Sequence, residues 1–337
     1  MTGNRSGRGK LPDGTPAPPG AGLELVAPVG APGYHARVPR FRAVVTDLDN
    51  TLYSWVDYIV PSLEAMVASL AATTGLPRVR IVQALKAVYS KYESNEYPFA
   101  IQESGIFEPY EADFDSFNAL VLRPAREAYR AARDKYLRPY PGVRETLDAL
   151  RRRGLRVVGL TDAPRNAAEL RLKHLKLDGH FDALYTLPGY PLPENVDPEI
   201  KRKEEAGHYR SRTPVVELPH DAEKPSAGGL ARILEDFGLR GGDVIYVGDN
   251  VKKDMPVAEA CGAMGVWAEY GTYVSGEYRE RLAVISAKSV TRRHVADETP
   301  QRWPLSISSF AQVVDIVDGA RWSRSSAPAP RRARRRR

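Results

Sequence analysis

The sequence predicts an α/β protein: a Rossmann-like parallel sheet with helices on both faces, plus a small all-helical cap. Three short β-branched runs, FRAVVTDLD (41–49), GLRVVGLTD (154–162) and GDVIYVGDN (242–250), each lead into a polar loop and a helical pattern. Short apolar runs of this kind suit strands buried on both faces, the environment of a parallel sheet. Residues 60–138 break the alternation with helical periodicity alone, which marks a helical insertion after the first strand.

Taken in order, residues 1–40 are rich in Gly, Pro and Ala without a period and predict a disordered leader. The first strand follows at 41–49. Three helices are expected in the insertion, from VPSLEAMVASLAATTG, VRIVQALKAVYSKY and FDSFNALVLRPAREAYRAARDKYL. ETLDALRRRG (145–154) reads as a helix with a Gly terminator that feeds the second strand. FDALYTL (181–187) and AMGVWAE (263–269) are further strands. Residues 188–223 are Pro-rich and charged and read as a long loop, either functional or disordered. The expected domains are a core of 41–59 and 139–320, a cap of 60–138, and a disordered Arg-rich tail of 321–337.

The chain has 337 residues, 42% of them hydrophobic and 27% charged, so it can bury an ordinary core. Its net charge of +7 sits at the ends: +3 in 1–40 and +8 in 321–337 leave −4 for the rest. A single cysteine, Cys261, excludes an intramolecular disulfide framework and a Cys-rich zinc site, and reads as a small buried residue. The sequence shows no run near the ~18 apolar residues of a membrane span and no secretory h-region. A reduced, cytoplasmic protein is the expectation.

Chemistry gathers at the ends of the three strongest strands, where parallel sheets place ligands. The first ends in Asp47-Leu48-Asp49-Asn50, with its two acids two positions apart and so on one side. The second ends in Thr161-Asp162, and the third in Asp249-Asn250, with Asp254 five residues beyond Asp249. Lys224, ahead of Pro225 at an expected helix start, lies between the second and third. Taken singly, these have plainer readings: a turn at Asp49-Asn50, an N-cap at Thr161-Asp162, and a favourable charge at a helix start for Asp254. Taken together, Asp47, Asp49, Asp249 and Asp254 bring −4, which Lys224 offsets to −3. At ~4 Å and an effective dielectric of about 20, each like-charge pair costs about 4 kcal/mol. A phosphate ester therefore enters only with a divalent cation, and an all-oxygen ligand set selects Mg²⁺.

The strings TDLDNTLY, GLTD, EKP and YVGDNVKKD, in this order across 41–270, resemble the four motifs of the haloacid dehalogenase-like hydrolase superfamily. Within it, the resemblance is to the phosphatase branch whose helical cap follows the first motif. It implies a phosphomonoester hydrolase with Asp47 as the nucleophile that becomes an aspartyl-phosphate, and Asp49 as the general acid and then base. Thr161 and Lys224 would hold phosphoryl oxygens. Asp47, Asp249 and the backbone carbonyl of Asp49 would bind Mg²⁺, with Asp254 supporting that site. Asp49 argues against dehalogenating members, which lack a carboxylate there. A phosphomutase, which keeps both acids, stays open.

The insertion also loosely resembles the cap of pyrimidine 5′-nucleotidase-type members, in its Gly-Leu-Pro start and the Tyr89–Tyr92 pair. Tyr92, Tyr97 or Phe107 could then stack a base, although cap aromatics more often pack a core. Asp162 departs from the family's usual Asn and is expected to turn away or pair with a cation such as Arg165. The expected substrate is a small phosphorylated metabolite, a nucleoside monophosphate or a sugar or acid phosphate. The Arg tail suits weak, non-specific nucleic-acid contact, and an alternative of another class is a nucleic-acid-associated protein recruited by it.

Overall fold

A computed structural model of the protein describes residues 41–111, 113–192, 196–286 and 302–319. The expected leader, 1–40, and tail, 321–337, lie outside the described residues. Seven parallel strands form one sheet: β1 (Ala43–Thr46), β2 (Arg156–Pro164), β3 (Ala183–Leu187), β4 (Val215–Glu217), β5 (Val244–Gly248), β6 (Met264–Ala268) and β7 (Ser306–Ile307). Their order is β4-β3-β2-β1-β5-β6-β7. β1 is central, with Ala43 beside Arg156 and Val244, and Thr46 beside Gly159 and Val247. From β1 the chain builds outward first to one side and later to the other, which opens a crevice at the carboxyl ends of β1, β2 and β5.

The side-chain period of two divides β1 between two cores. Val44 joins the cluster on one face with Leu48 and Leu147, while Ala43 and Val45 join Leu230, Ile233 and Tyr246 on the other. All four residues of β1 are buried, as are all five of β3 and of β5. Gly159 in β2 packs closely, since a Cβ there would lie 2.7 Å from Leu184 Cδ1 of the neighbouring strand and that side chain would have to shift.

Between β1 and β2 the chain is helical, as expected: α1 (Trp55–Thr74), α2 (Arg78–Lys91), the short α3 (Ala100–Glu103), α4 (Glu108–Glu111) and α5 (Phe114–Phe117), then α6 (Arg123–Tyr136) and α7 (Val143–Arg152). A π-helical stretch, Asn118–Leu122, joins α5 to α6, so the third expected helix bends rather than running straight. α1 starts five residues before the expected insertion, where Ser54 Oγ accepts from Asp57 N–H and Asn50 Oδ1 from Trp55 N–H. Its 20 residues reach the length and hydropathy of a membrane span, closer than the sequence reading allowed. Half of them, from Trp55 to Leu70, are buried against the rest of the protein, as in a core helix.

The long-loop reading of 188–223 is corrected. α8 (Arg165–His174) precedes β3, and the segment after β3 contains α9 (Pro198–Glu205) and β4, which pairs Val215 with Leu184. Asp197 caps α9 by accepting from Glu199 N–H and is tied to Arg126 of α6 at 2.9 Å. α10 (Gly228–Asp236) begins three residues after Pro225, not at it. α11 (Asp254–Ala260) follows β5, and α12 (Gly276–Ile285) packs against α1 and α2. Cys261 is half-buried rather than buried, its thiol 3.8 Å from Ala227 O.

Candidate active site

Asp47, Asp49, Thr161, Lys224, Asp249 and Asp254 all line one cavity of about 180 Å³ at the carboxyl ends of β1, β2 and β5. The six residues singled out in the sequence are thus brought together in space.

Asp47 continues β1, its N–H donating to Val247 O at 2.8 Å, so backbone pairing sets where its carboxylate emerges. Lys224 Nζ lies 2.8 Å from Asp47 Oδ1 and 2.7 Å from Asp254 Oδ1. Asp254 also accepts from Tyr246 Oη at 3.0 Å and, through Oδ2, from Asn250 N–H at 2.9 Å. Both of its oxygens are therefore committed, and its carboxylate locks the lysine in place. Gly248 makes room for this: a Cβ there would sit 2.3 Å from Asp254 Cγ. Gly271 meets a similar constraint, with a Cβ falling 1.7 Å from the carbonyl oxygen of Asn50, which itself turns through φ +57.

Carboxylate oxygens of Asp47, Asp249 and Asp254 lie within 4.8 Å of one another. Burial pushes Asp47 up to about 7, with Lys224 pulling the other way and Asp254 adding to the rise. Burial raises Asp249 well above the usual carboxylate range, with the charges of Asp254 and Asp47 reinforcing it. These three acids face one lysine, so the cluster is left two positive charges short of neutrality.

Thr161 Oγ1 accepts from Ala163 N–H at 3.1 Å, so its own proton is available to an oxygen in the cavity. The extra acid, Asp162, finds partners as expected, though not Arg165. Its Oδ1 accepts from Lys224 N–H and its Oδ2 from Lys253 Nζ, both at 3.0 Å. Arg165 instead pairs with Glu169 at 3.0 Å.

Sequence reasoning missed Arg171 and Glu96. Arg171, from α8, is 2% exposed, and its Nη2 lies 3.2 Å from Asp49 Oδ2. Its Nη1 donates to Tyr58 Oη at 2.9 Å and bonds Glu96, which comes from the segment after α2. Burial pushes Asp49 up to about 6 even though Arg171 opposes the rise. No local pattern marks Arg171: it sits among charged residues of α8, and only packing turns it inward.

The aromatics divide. Phe107 is fully buried in the core, with its ring 6.4 Å from that of Phe117, which removes it as a base-stacking platform. Tyr92 and Tyr97 stack on each other at 3.6 Å and 8°, and Tyr190 meets both edge-on. The stacked faces of that pair are thus already used.

Residues 41–262 match the family described as haloacid dehalogenase-like hydrolase. A phosphoglycolate phosphatase of Pseudomonas fluorescens is 24% identical over 234 residues, 68% of this chain and 70% of that protein. A glyceraldehyde 3-phosphate phosphatase of Pyrococcus furiosus is 24% identical over 249 residues, covering 72% and 87%. The pyrophosphatase PpaX of Halalkalibacterium halodurans is 30% identical over 156 residues, covering 42% and 71%. With the family match spanning most of the described chain, and with its four motif strings meeting in one cavity, the protein belongs to the haloacid dehalogenase-like hydrolases.

Proposed function

We propose that the chain is a Mg²⁺-dependent phosphomonoester hydrolase that works through an aspartyl-phosphate on Asp47. The observation that carries this is the placement of Asp47, Asp49, Thr161 and Lys224 around one cavity, in the company of two further acids. The donor set fits a hard divalent ion, since it offers only oxygens and its acids outnumber its cations. Asp47, Asp249 and the carbonyl of Asp49 would hold the ion, with Asp254 in support. When bound, Mg²⁺ offsets the charge of the carboxylates and of the phosphoryl group and favours the ionised form of Asp47.

Lys224 and the Thr161 hydroxyl hold the phosphoryl oxygens, and a carboxylate oxygen of Asp47 attacks phosphorus. The bond from phosphorus to the leaving oxygen breaks as Asp49 gives that oxygen its proton. A value near 6 leaves Asp49 a protonated fraction close to neutral pH. Water then attacks the phosphorus of the aspartyl-phosphate while Asp49 takes its proton back. The bond to Asp47 breaks and inorganic phosphate leaves. The helices of 55–136 act in this reading as a cap that covers the site and excludes water. The single cysteine suits work in a reducing, cytoplasmic compartment.

The test is phosphate release from a panel of phosphomonoesters with Mg²⁺. Asp47→Asn should lose at least about a thousandfold in kcat, as removal of a nucleophile does. Turnover that survives this substitution sinks the proposal. Phosphate that moves within the substrate without release indicates a phosphomutase instead.

A further inference from the structure

Beside the carboxylate cavity lies a second, of about 240 Å³, between α1, α6 and α8. Both are lined by Asn95, Glu96, Pro164 and Tyr190, so the two spaces abut. Together they reach the roughly 300–1,000 Å³ of ordinary small-molecule sites. Their walls differ in kind. Acids and lysines line the first, whereas Leu63, Met66, Ile101 and Leu170 line the second beside the rings of Tyr89 and Tyr129, with Arg126, Arg130 and Arg133 of α6 along one side.

Two side chains on this wall point to a ligand. Asn95 is 3% exposed and donates Nδ2 to Ser286 Oγ, yet its buried Oδ1 has no hydrogen-bond partner among the described residues. The Nε of Arg171 is likewise buried and without a partner among the described residues, although both terminal nitrogens are engaged. An acceptor or a donor left unmade costs about 1–3 kcal/mol, which a ligand group that reaches it would recover.

Resting on the hydrolase reading above, we propose that the substrate is a phosphomonoester with an apolar, ring-bearing alcohol portion that fills this second cavity. A hydroxyl or amide on that portion meets the Asn95 side chain, which lines both cavities. Phosphates of two or three carbons, such as those in the relatives' names, would leave the space empty.

The probes are 1-naphthyl phosphate and 2-phosphoglycolate, assayed for phosphate release with Mg²⁺. Wild type should prefer the naphthyl ester by at least tenfold in kcat/KM. Filling the cavity with Ala167→Phe or Ala100→Phe should cut that preference at least tenfold. A preference that stays within twofold of wild type in both folded variants overturns the inference while leaving the hydrolase reading intact. If thermal melts show that neither variant folds, product inhibition of the wild type decides. 1-Naphthol should compete with 1-naphthyl phosphate, and absence of inhibition overturns the inference. Failure to release phosphate from either ester overturns the hydrolase reading and this inference together, a pattern separate from both others.

Discussion

Asp49 and Glu96 reach Arg171 from opposite sides of the site, one from the end of β1 and one from the helical insertion. Removing one partner of a buried charge cluster leaves the others uncompensated, at a cost of about 3–5 kcal/mol. Arg171→Met should therefore lower stability by that amount in urea titrations. Adding Glu96→Gln should restore part of the loss, giving a non-additive double-mutant cycle. Additive losses would show that the two groups are not coupled. Gly248 supplies a second test at this scale. Gly248→Ala drives a methyl into the anchored carboxylate of Asp254, which must shift and release Lys224. Activity should fall by at least tenfold in kcat, with a stability loss of about 1–3 kcal/mol for the overpacked site. An unchanged kcat would mean that Asp254 does not set the position of Lys224.

Among the elements, the strands were the most legible, because burial on both faces leaves a contiguous apolar run in the sequence. β4 escaped notice since three residues carry no periodicity, and its strand character comes from pairing with β3. The helices of the insertion were legible from their spacing, but the use of their aromatics was not. Phe107 touches the core through Phe117 rather than facing the cavity. Phe107→Ala should cost about 3–5 kcal/mol, as large-to-small core changes do, with KM unchanged in the folded variant. A raised KM with little loss of stability would return Phe107 to a substrate-contacting role.

For the whole molecule, the excess positive charge lies in 321–337, apart in sequence from the acids of the candidate site. Deleting 321–337 removes eight arginines and takes the net charge from +7 to −1. We propose that the tail makes non-specific, salt-dependent contact with nucleic acid, which the deletion should abolish while kcat and KM for a small phosphomonoester stay within about twofold of the full chain, as the phosphate term is electrostatic. Loss of turnover on deletion would tie the tail to the site. Filter binding across a salt series and the phosphate-release assay read the two effects separately.

Five of the six residues gathered around the first cavity were legible because each stands at a strand end or a short fixed distance from one, whereas Lys224 was marked by the EKP string. In a parallel sheet, strand ends of β1, β2 and β5 are neighbours whatever the intervening chain does. Local pattern carries such information because it lives in spacings of two to five residues. The contacts that tune the site span far greater separations: 30 residues for Lys224 to Asp254, 75 for Arg171 to Glu96 and 122 for Arg171 to Asp49. No period encodes them. The two Arg171 contacts exist because α8, packed on β2 and β3, turns one charged side chain inward, where low dielectric makes its partners matter. The second cavity has the same origin, formed where side chains of three helices fail to fill the space between them.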